Sequence, residues 1–241
     1  LTGSVREQKL LFLYGTGANG KSVYIEIGAW ILGDYAKKIS TEMLMHHQRN
    51  PQGPSPDIVG LKGVRLAYAN ETEEGRRLSE ARVKDLTGGD MMIGRVPYGK
   101  EDINFSPTHK LVVVGNHKPE IHDTSYGMWR RVLLALFGIT IPEDERDHDL
   151  LDKLKLEGSG ILNWMLEGLK EYQKNGLQIP KTVDAATNAY RDESDIVGEW
   201  INDHCDTGNG CAESKSDLYK AYQNWATDNG HHPMAQSRLT R

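Results

Sequence analysis

Residues Gly15-Thr16-Gly17-Ala18-Asn19-Gly20-Lys21-Ser22 spell G-x-x-x-x-G-K-S. They stand between the apolar run Leu10–Tyr14 and the helix-patterned Val23-Tyr24-Ile25-Glu26-Ile27. Few patterns constrain a fold more, because this one needs a strand before it and a helix after it. Its glycines let backbone N–H groups close around phosphates without a Cβ in the way. Lys21 can then reach the β and γ phosphates, and the Ser22 hydroxyl can ligate Mg²⁺. The stretch from Gly15 to Ser22, with Val23 opening the helix, is therefore read as a nucleoside triphosphate site.

A chain of 241 residues can bury one α/β core and a smaller appendage. Its 38% hydrophobic content and mean hydropathy of −0.58 describe a soluble globular protein. No apolar run approaches the ~20 residues of a membrane span, so no membrane partner is expected. Leu1-Thr2-Gly3-Ser4 has neither a basic lead nor an apolar signal segment and lacks an initiator Met, so the chain reads as a fragment of something longer. Cys205 and Cys211 lack C-x-x-C spacing and read as two reduced thiols of a cytoplasmic protein. A net charge of −5 argues against broad coating of a nucleic acid and leaves room for a local basic element.

Strand signals at Leu10–Tyr14, Val64–Ala69, Leu111–Val114 and Val132–Phe137 alternate with helical spacing at Val23–Leu32 and Ser79–Leu86. This predicts an α/β fold with a mostly parallel sheet covered by helices. The turn-rich Gln48–Pro56 is expected to be a mobile loop. Two helices are predicted over Asp147–Leu156 and Gly160–Tyr172, and Pro180 marks a break. Ile196–Ile201 and Leu218–Trp225 have the spacing of amphipathic helices in a separate small unit.

A phosphate loop needs an acid at the end of a neighbouring strand to hold Mg²⁺ and orient the attacking water. A strand running to Asn70-Glu71 delivers Glu71 at the edge where ligands of an open α/β sheet collect. Glu73 and Glu74 follow, so Glu71 is either that acid or one member of a solvated acidic turn. Asn116 ends the next apolar strand. It either bonds the γ-phosphate or its water, or begins the turn Asn116-His117-Lys118-Pro119. Arg130-Arg131 are either surface charges or, in a ring-forming ATPase, the place from which an arginine reaches the neighbouring subunit's γ-phosphate. Two strand-like runs flank Pro97-Tyr98-Gly99 and predict a β-hairpin with Arg95 and Lys100 near its tip. Two cations and an aromatic can grip a phosphate backbone and stack on a base, and a purely structural hairpin has the same pattern.

The series of phosphate loop, Asn70-Glu71, Lys84 with Thr87-Gly88-Gly89-Asp90 and Arg95, Asn116, then Trp129-Arg130-Arg131 resembles the superfamily 3 helicases. The likeness is to the helicase part of phage and plasmid primase–helicases, a group that includes the poxvirus primase–helicase and the satellite-phage alpha replication protein. It spans residues 10–137 closely and 192–225 loosely. The resemblance implies an AAA+-like P-loop NTPase core over 1–140, a helical extension over 141–180 and a partial winged-helix-like DNA-binding domain over 181–241. It further implies a hexameric ring that moves single-stranded or forked DNA with ATP and Mg²⁺. Glu71 would be the Walker B acid and a Mg²⁺ ligand with Ser22, Asn116 the sensor, and Arg131 the arginine finger in trans. Gly94–Lys100 would be the pre-sensor hairpin facing the channel, with Arg95, Tyr98 and Lys100 on DNA. Many members have two adjacent acids where this chain has Asn70-Glu71, so Glu71 acts alone or with Glu73 or Glu74. An N-terminal primase domain in the parent chain and a mobile element in a bacterial cytoplasm complete the expectation.

Two other classes compete with this reading. An origin-binding initiator would use ATP as a structural switch. A phosphate-loop kinase would act on a small acceptor and would need an Arg-rich lid in cis, where the sequence offers only Arg76, Arg77 and the Arg130-Arg131 pair. DNA-stimulated turnover separates the motor from both.

Overall fold

The order of strands in the main sheet decides what can meet at its edge. The computed structural model describes residues 2–46, 53–70 and 74–240. β1 (Leu10–Tyr14) leads through the phosphate loop into α1 (Lys21–Leu32), and β2 (Ala36–Lys38) follows. After α2 (Pro56–Val59) come β3 (Leu66–Asn70) and α3 (Glu80–Thr87). The chain then forms β4 (Met92–Gly94) and β5 (Ile103–Phe105), and continues into β6 (Lys110–Gly115), α4 (Tyr126–Trp129) and β7 (Val132–Leu136). The sheet order is β2-β3-β6-β1-β7, every neighbouring pair parallel, while β4 and β5 pair antiparallel as a separate hairpin. This is the α/β, phosphate-loop NTPase-like core that the motif requires.

β6 lies centrally and is buried from Leu111 to Gly115, which explains its near-continuous Leu-Val-Val-Val run. One face of the sheet packs Leu13, Val112 and Val114 against Ile25 of α1. β7 is an edge strand. The buried Leu134 N–H donates to Thr187 Oγ1 at 2.9 Å, and that hydroxyl donates in turn to Val183 O at 2.7 Å. The opposite edge, β2, exposes Lys37 and Lys38.

Beyond the sheet the described residues form α5 (Leu150–Leu156), α6 (Gly158–Asn175), α7 (Lys181–Ser194), α8 (Ile196–His204), α9 (Lys215–Asp228) and α10 (Gln236–Leu239). The chain divides into two compact units, Leu1–Asn188 and Ala189–Arg241. The second unit has its own core of Trp200, Tyr222 and Ala226, with the Trp200 and Tyr222 rings edge to face at 5.4 Å. Among its described residues it contains helices and no strand. Cys205 and Cys211 are both free thiols. Among the described residues no helix is long and apolar enough to cross a membrane. Of the expected loop Gln48–Pro56, residues 48–52 lie outside the described part, whereas Pro56 opens α2.

Candidate nucleotide site

The phosphate loop bridges the end of β1 and the start of α1, as the sequence predicts. Gly20 caps the helix with φ +84° and Gly17 has φ +112°, conformations that side chains resist. Gly15 sits where a Cβ would lie 2.2 Å from Phe137 O, so the loop is pressed against the segment leaving β7. Asn19 fixes that contact by donating from Nδ2 to Phe137 O at 2.9 Å. Lys21 is only 4% exposed. Its ammonium donates to Gly15 O at 2.6 Å and to Asn19 Oδ1 at 2.8 Å. Burial lowers the Lys21 pKa from its ordinary value. Ser22 is exposed at the first turn of α1 and Val23 is half-buried behind it. A glycine-rich loop, a helix N-terminus and a desolvated ammonium fit the phosphates of a nucleotide.

Register brings Asn116 and the end of β3 to the same edge. Tyr14 pairs with Gly115, so Asn116, which is exposed, leaves β6 beside the start of the loop. Asn70 pairs with Val114 one strand further out. Its Oδ1 is buried without a hydrogen-bond donor among the described residues, and its backbone oxygen accepts from Thr41 Oγ1 at 2.8 Å. Glu71 and Glu73 lie outside the described residues, and Glu74 is exposed. Sequence reasoning passed over Lys118, whose ammonium lies 5.3 Å from the Tyr14 ring centroid at this edge. Its place two residues after Asn116 was the available signal.

Arg131 is not brought to Lys21 within the chain. Its backbone oxygen accepts from Leu10 N at 2.7 Å, at the end of β1 opposite the loop. The length of β1 puts ~16 Å between the two edges at about 3.3 Å per residue. The Arg131 guanidinium donates from Nε to Thr87 Oγ1 at 3.2 Å and from Nη1 to Gly127 O. Burial, and then the neighbouring Arg130 charge, lower its pKa. A mostly apolar cavity of about 530 Å³ adjoins this edge, lined by Gln8, Thr87, His109, Leu133 and Leu169. No phosphate-loop residue lines that cavity.

β4 and β5 form the expected hairpin, with Met92 paired to Phe105 and Gly94 to Ile103. At its tip Gly99 N donates to Val96 O at 3.0 Å. Pro97 takes the second position of this turn, and Tyr98 takes the third with φ +62°. With Pro in second place, a positive φ in third place is the type II arrangement, which normally calls for Gly there. Tyr98 thus holds a strained backbone while its ring is fully exposed. Lys100 is exposed beside it and Arg95 is half-buried. The end of β4 that leads into the tip rests on α2. Ser55 N donates to Arg95 O at 2.8 Å, and a Cβ at Gly94 would lie 2.9 Å from Val59 Cγ2.

No family model matches the chain. It is 29% identical over 250 residues to "Putative helicase L207/L206" of Acanthamoeba polyphaga mimivirus, covering 95% of this chain and 26% of that protein. Identity to "Putative helicase 022R" of Frog virus 3 is 27% over 248 residues, covering 95% and 25%. Identity to "Putative primase C962R" of African swine fever virus (isolate Warthog/Namibia/Wart80/1980) is 27% over 249 residues, covering 93% and 25%. The chain thus spans about a quarter of the length of these viral relatives. Among solved structures it resembles the C-terminal region of NrS-1, with a TM-score of 0.57 at 13% identity over 93% of this chain and 48% of that one. A second structure of that region gives 0.53 at 14%. The chain is therefore a phosphate-loop, NTPase-like α/β protein, similar to viral proteins named as helicases and primases.

Proposed function

We propose that this chain is the ATPase part of a DNA helicase or translocase of a viral or mobile-element replication protein, related to the superfamily 3 helicases. The observation that carries the reading is the Tyr14–Gly115 register, which sets the phosphate loop beside Asn116 while leaving Arg131 on the far edge. The backbone from Gly15 to Gly20 and the Lys21 ammonium bind the phosphates of ATP. Gly15 O and Asn19 Oδ1 are the acceptors that Lys21 exchanges for phosphate oxygens. Ser22 and Glu71 would hold Mg²⁺, which neutralises charge on the β- and γ-phosphates. Glu71 orients the attacking water, and Asn116 bonds the γ-phosphate or that water. Phosphoryl transfer of this kind depends mostly on positioning and electrostatics. Arg131 acts from a neighbouring copy in a ring, since its own loop is out of reach.

The hairpin is the DNA contact in this proposal. A strained backbone that presents an aromatic ring to solvent has no packing role, and Lys100 and Arg95 supply charge for phosphates. The helical unit from Ala189 onward is proposed as part of a winged-helix-like DNA-binding domain. The names of the viral relatives, and a chain a quarter of their length, support a larger replication protein around this core. ATP turnover with and without single-stranded DNA, beside a size measurement in ATP and Mg²⁺, tests the reading. Turnover that responds to a small acceptor and not to DNA would mark a kinase. ATP binding with negligible hydrolysis would mark a switch.

A further inference from the structure

Two segments leave the nucleotide edge of the sheet, one after β3 and one after β6, and both are fastened to the same short helix. Backbone bonds join them first: Leu78 N donates to Glu120 O and Glu120 N to Arg76 O, each at 2.9 Å. Side chains of α3 continue the seam. Glu80 Oε1 accepts from the His122 backbone N–H at 3.0 Å and from Arg77 Nη2 at 3.4 Å. One turn later Lys84 Nζ donates to Asp123 Oδ2 at 2.6 Å, while Asp123 Oδ1 accepts from Ser125 N at 2.9 Å. The stretch from Glu120 to Ser125, which follows Asn116 by four residues, is thereby tied to α3 and the turn before it.

The other end of α3 leads elsewhere. Its last residue, Thr87, accepts from Arg131 Nε at 3.2 Å and donates to Val83 O at 2.6 Å. After four intervening residues the chain enters β4, so the hairpin hangs between α3 and β6 in sequence. The exit is tight, because a Cβ at Gly88 would lie 2.9 Å from Lys84 O. Val83 and Leu86 are fully buried, which seats α3 as a rigid body about 12 Å long at 1.5 Å per residue. The Lys84–Asp123 pair is softer: its side chains are 36% and 26% exposed, so it can open without unpacking the core.

We propose that α3 transmits the state of the nucleotide edge to the hairpin and to Arg131, and that the Lys84–Asp123 ion pair is its coupling at the nucleotide end. Lys84 is a positioning residue here, acting through the Asn116–Ser125 segment and touching neither nucleotide nor DNA. A shift of that segment on phosphate contact pulls Asp123, and a rigid α3 delivers the displacement to Gly88–Met91 and the hairpin. The inference rests on the proposed function, and its test separates the two.

In the full-length protein, single-stranded DNA affinity is measured with and without a non-hydrolysable ATP analogue and Mg²⁺, beside basal and DNA-stimulated turnover. The parent protein should show a nucleotide-dependent change in DNA affinity within the roughly 5–150-fold range of allosteric coupling. Lys84→Met and Asp123→Asn should each reduce that change to under about 2-fold and abolish DNA stimulation, with basal turnover and the KM for ATP unchanged. The reversed pair Lys84→Asp with Asp123→Lys should restore a large part of the coupling. A merely structural pair would lower thermal stability and leave the affinity ratio intact. If either single variant keeps the parent's ratio, the coupling role is wrong. If the parent itself shows no DNA response, the proposed function falls, and the coupling with it.

Discussion

Tyr14 and Gly115 face each other in register on β1 and β6, so the segments leading to Lys21 and to Asn116 leave the sheet from neighbouring points. Two residues about a hundred positions apart in sequence are thereby brought to the same edge of the sheet.

Lys21 is the first test of that arrangement. Lys21→Ala removes a buried ammonium from the place where the proposed reaction accumulates negative charge. Turnover should fall by at least about 10²-fold, with nucleotide binding sharply weakened. Hydrolysis assays and equilibrium binding of a fluorescent ATP analogue measure both. Turnover within a few-fold of the parent would remove the site assignment.

Arg131 tests whether the site is shared. Arg131→Ala in the full-length protein should lose on the order of 10³–10⁵ in rate and still bind ATP. Mixing it with Lys21→Ala subunits should return part of the activity, because some interfaces then pair an intact loop with an intact arginine. A demonstrably mixed assembly with no recovery would count against a shared site.

Tyr98 allows strain and binding to be separated. Tyr98→Gly relieves the positive φ and should leave thermal stability unchanged or raise it, by about 1 kcal/mol at most. Loss of the ring should nevertheless weaken single-stranded DNA binding by roughly 1–3 kcal/mol. Replacing Arg95 and Lys100 as well should flatten the salt dependence by up to about two phosphate contacts' worth of slope. Undiminished DNA binding by the folded triple variant would return the hairpin to a structural role.

Asp123 carries a pH signature. Burial would raise its carboxyl, but the bonds from Lys84 and Ser125 outweigh it and bring the pKa from 3.8 down to about 2. A folded-state pKa below the unfolded one means stability that is present above about pH 4 and lost as the pH falls toward 2. With both side chains partly exposed, the contribution is about 1 kcal/mol. Urea unfolding of the parent and of Asp123→Asn should therefore differ at pH 7 and converge in acid. A gap that ignores pH would refute the assignment.

Thr187 tests the edge of the sheet. Thr187→Val keeps the shape and removes the acceptor for the buried Leu134 N–H, at a cost of about 1–3 kcal/mol. Thr187→Ser should retain most of the stability. Chemical denaturation of both variants distinguishes a lost hydrogen bond from lost packing.

Much of this was legible in the sequence, and the omissions share a cause. The strands β1, β3, β6 and β7 show themselves because buried parallel strands are apolar runs. β2 does not, since Ala36-Lys37-Lys38 has no pattern and becomes a strand only by pairing with β3. α7 was missed because a threonine, Thr187, holds a buried place between Val183 and Tyr190, and Pro180 marked only a break. In the site, the phosphate loop was readable because its chemistry is local. The Lys84–Asp123 pair spans 39 residues and exists only once α3 and the Asn116–Ser125 segment are packed together. At the hairpin the turn was readable, but the positive φ falls on Tyr98 and not on the adjacent Gly99.

The two outer strands have a consequence for assembly. An uncovered strand is a template on which any extended chain can add by backbone bonding. Here β7 has its Leu134 N–H already taken by Thr187, and β2 is three residues long with two exposed lysines. The occupied Leu134 N–H on one border and the short, lysine-bearing strand on the other both work against such addition. In the proposed ring, copies would then meet through side-chain surfaces and not by strand addition at these borders. The sheet itself stays closed to the unlimited stacking that ends in fibres.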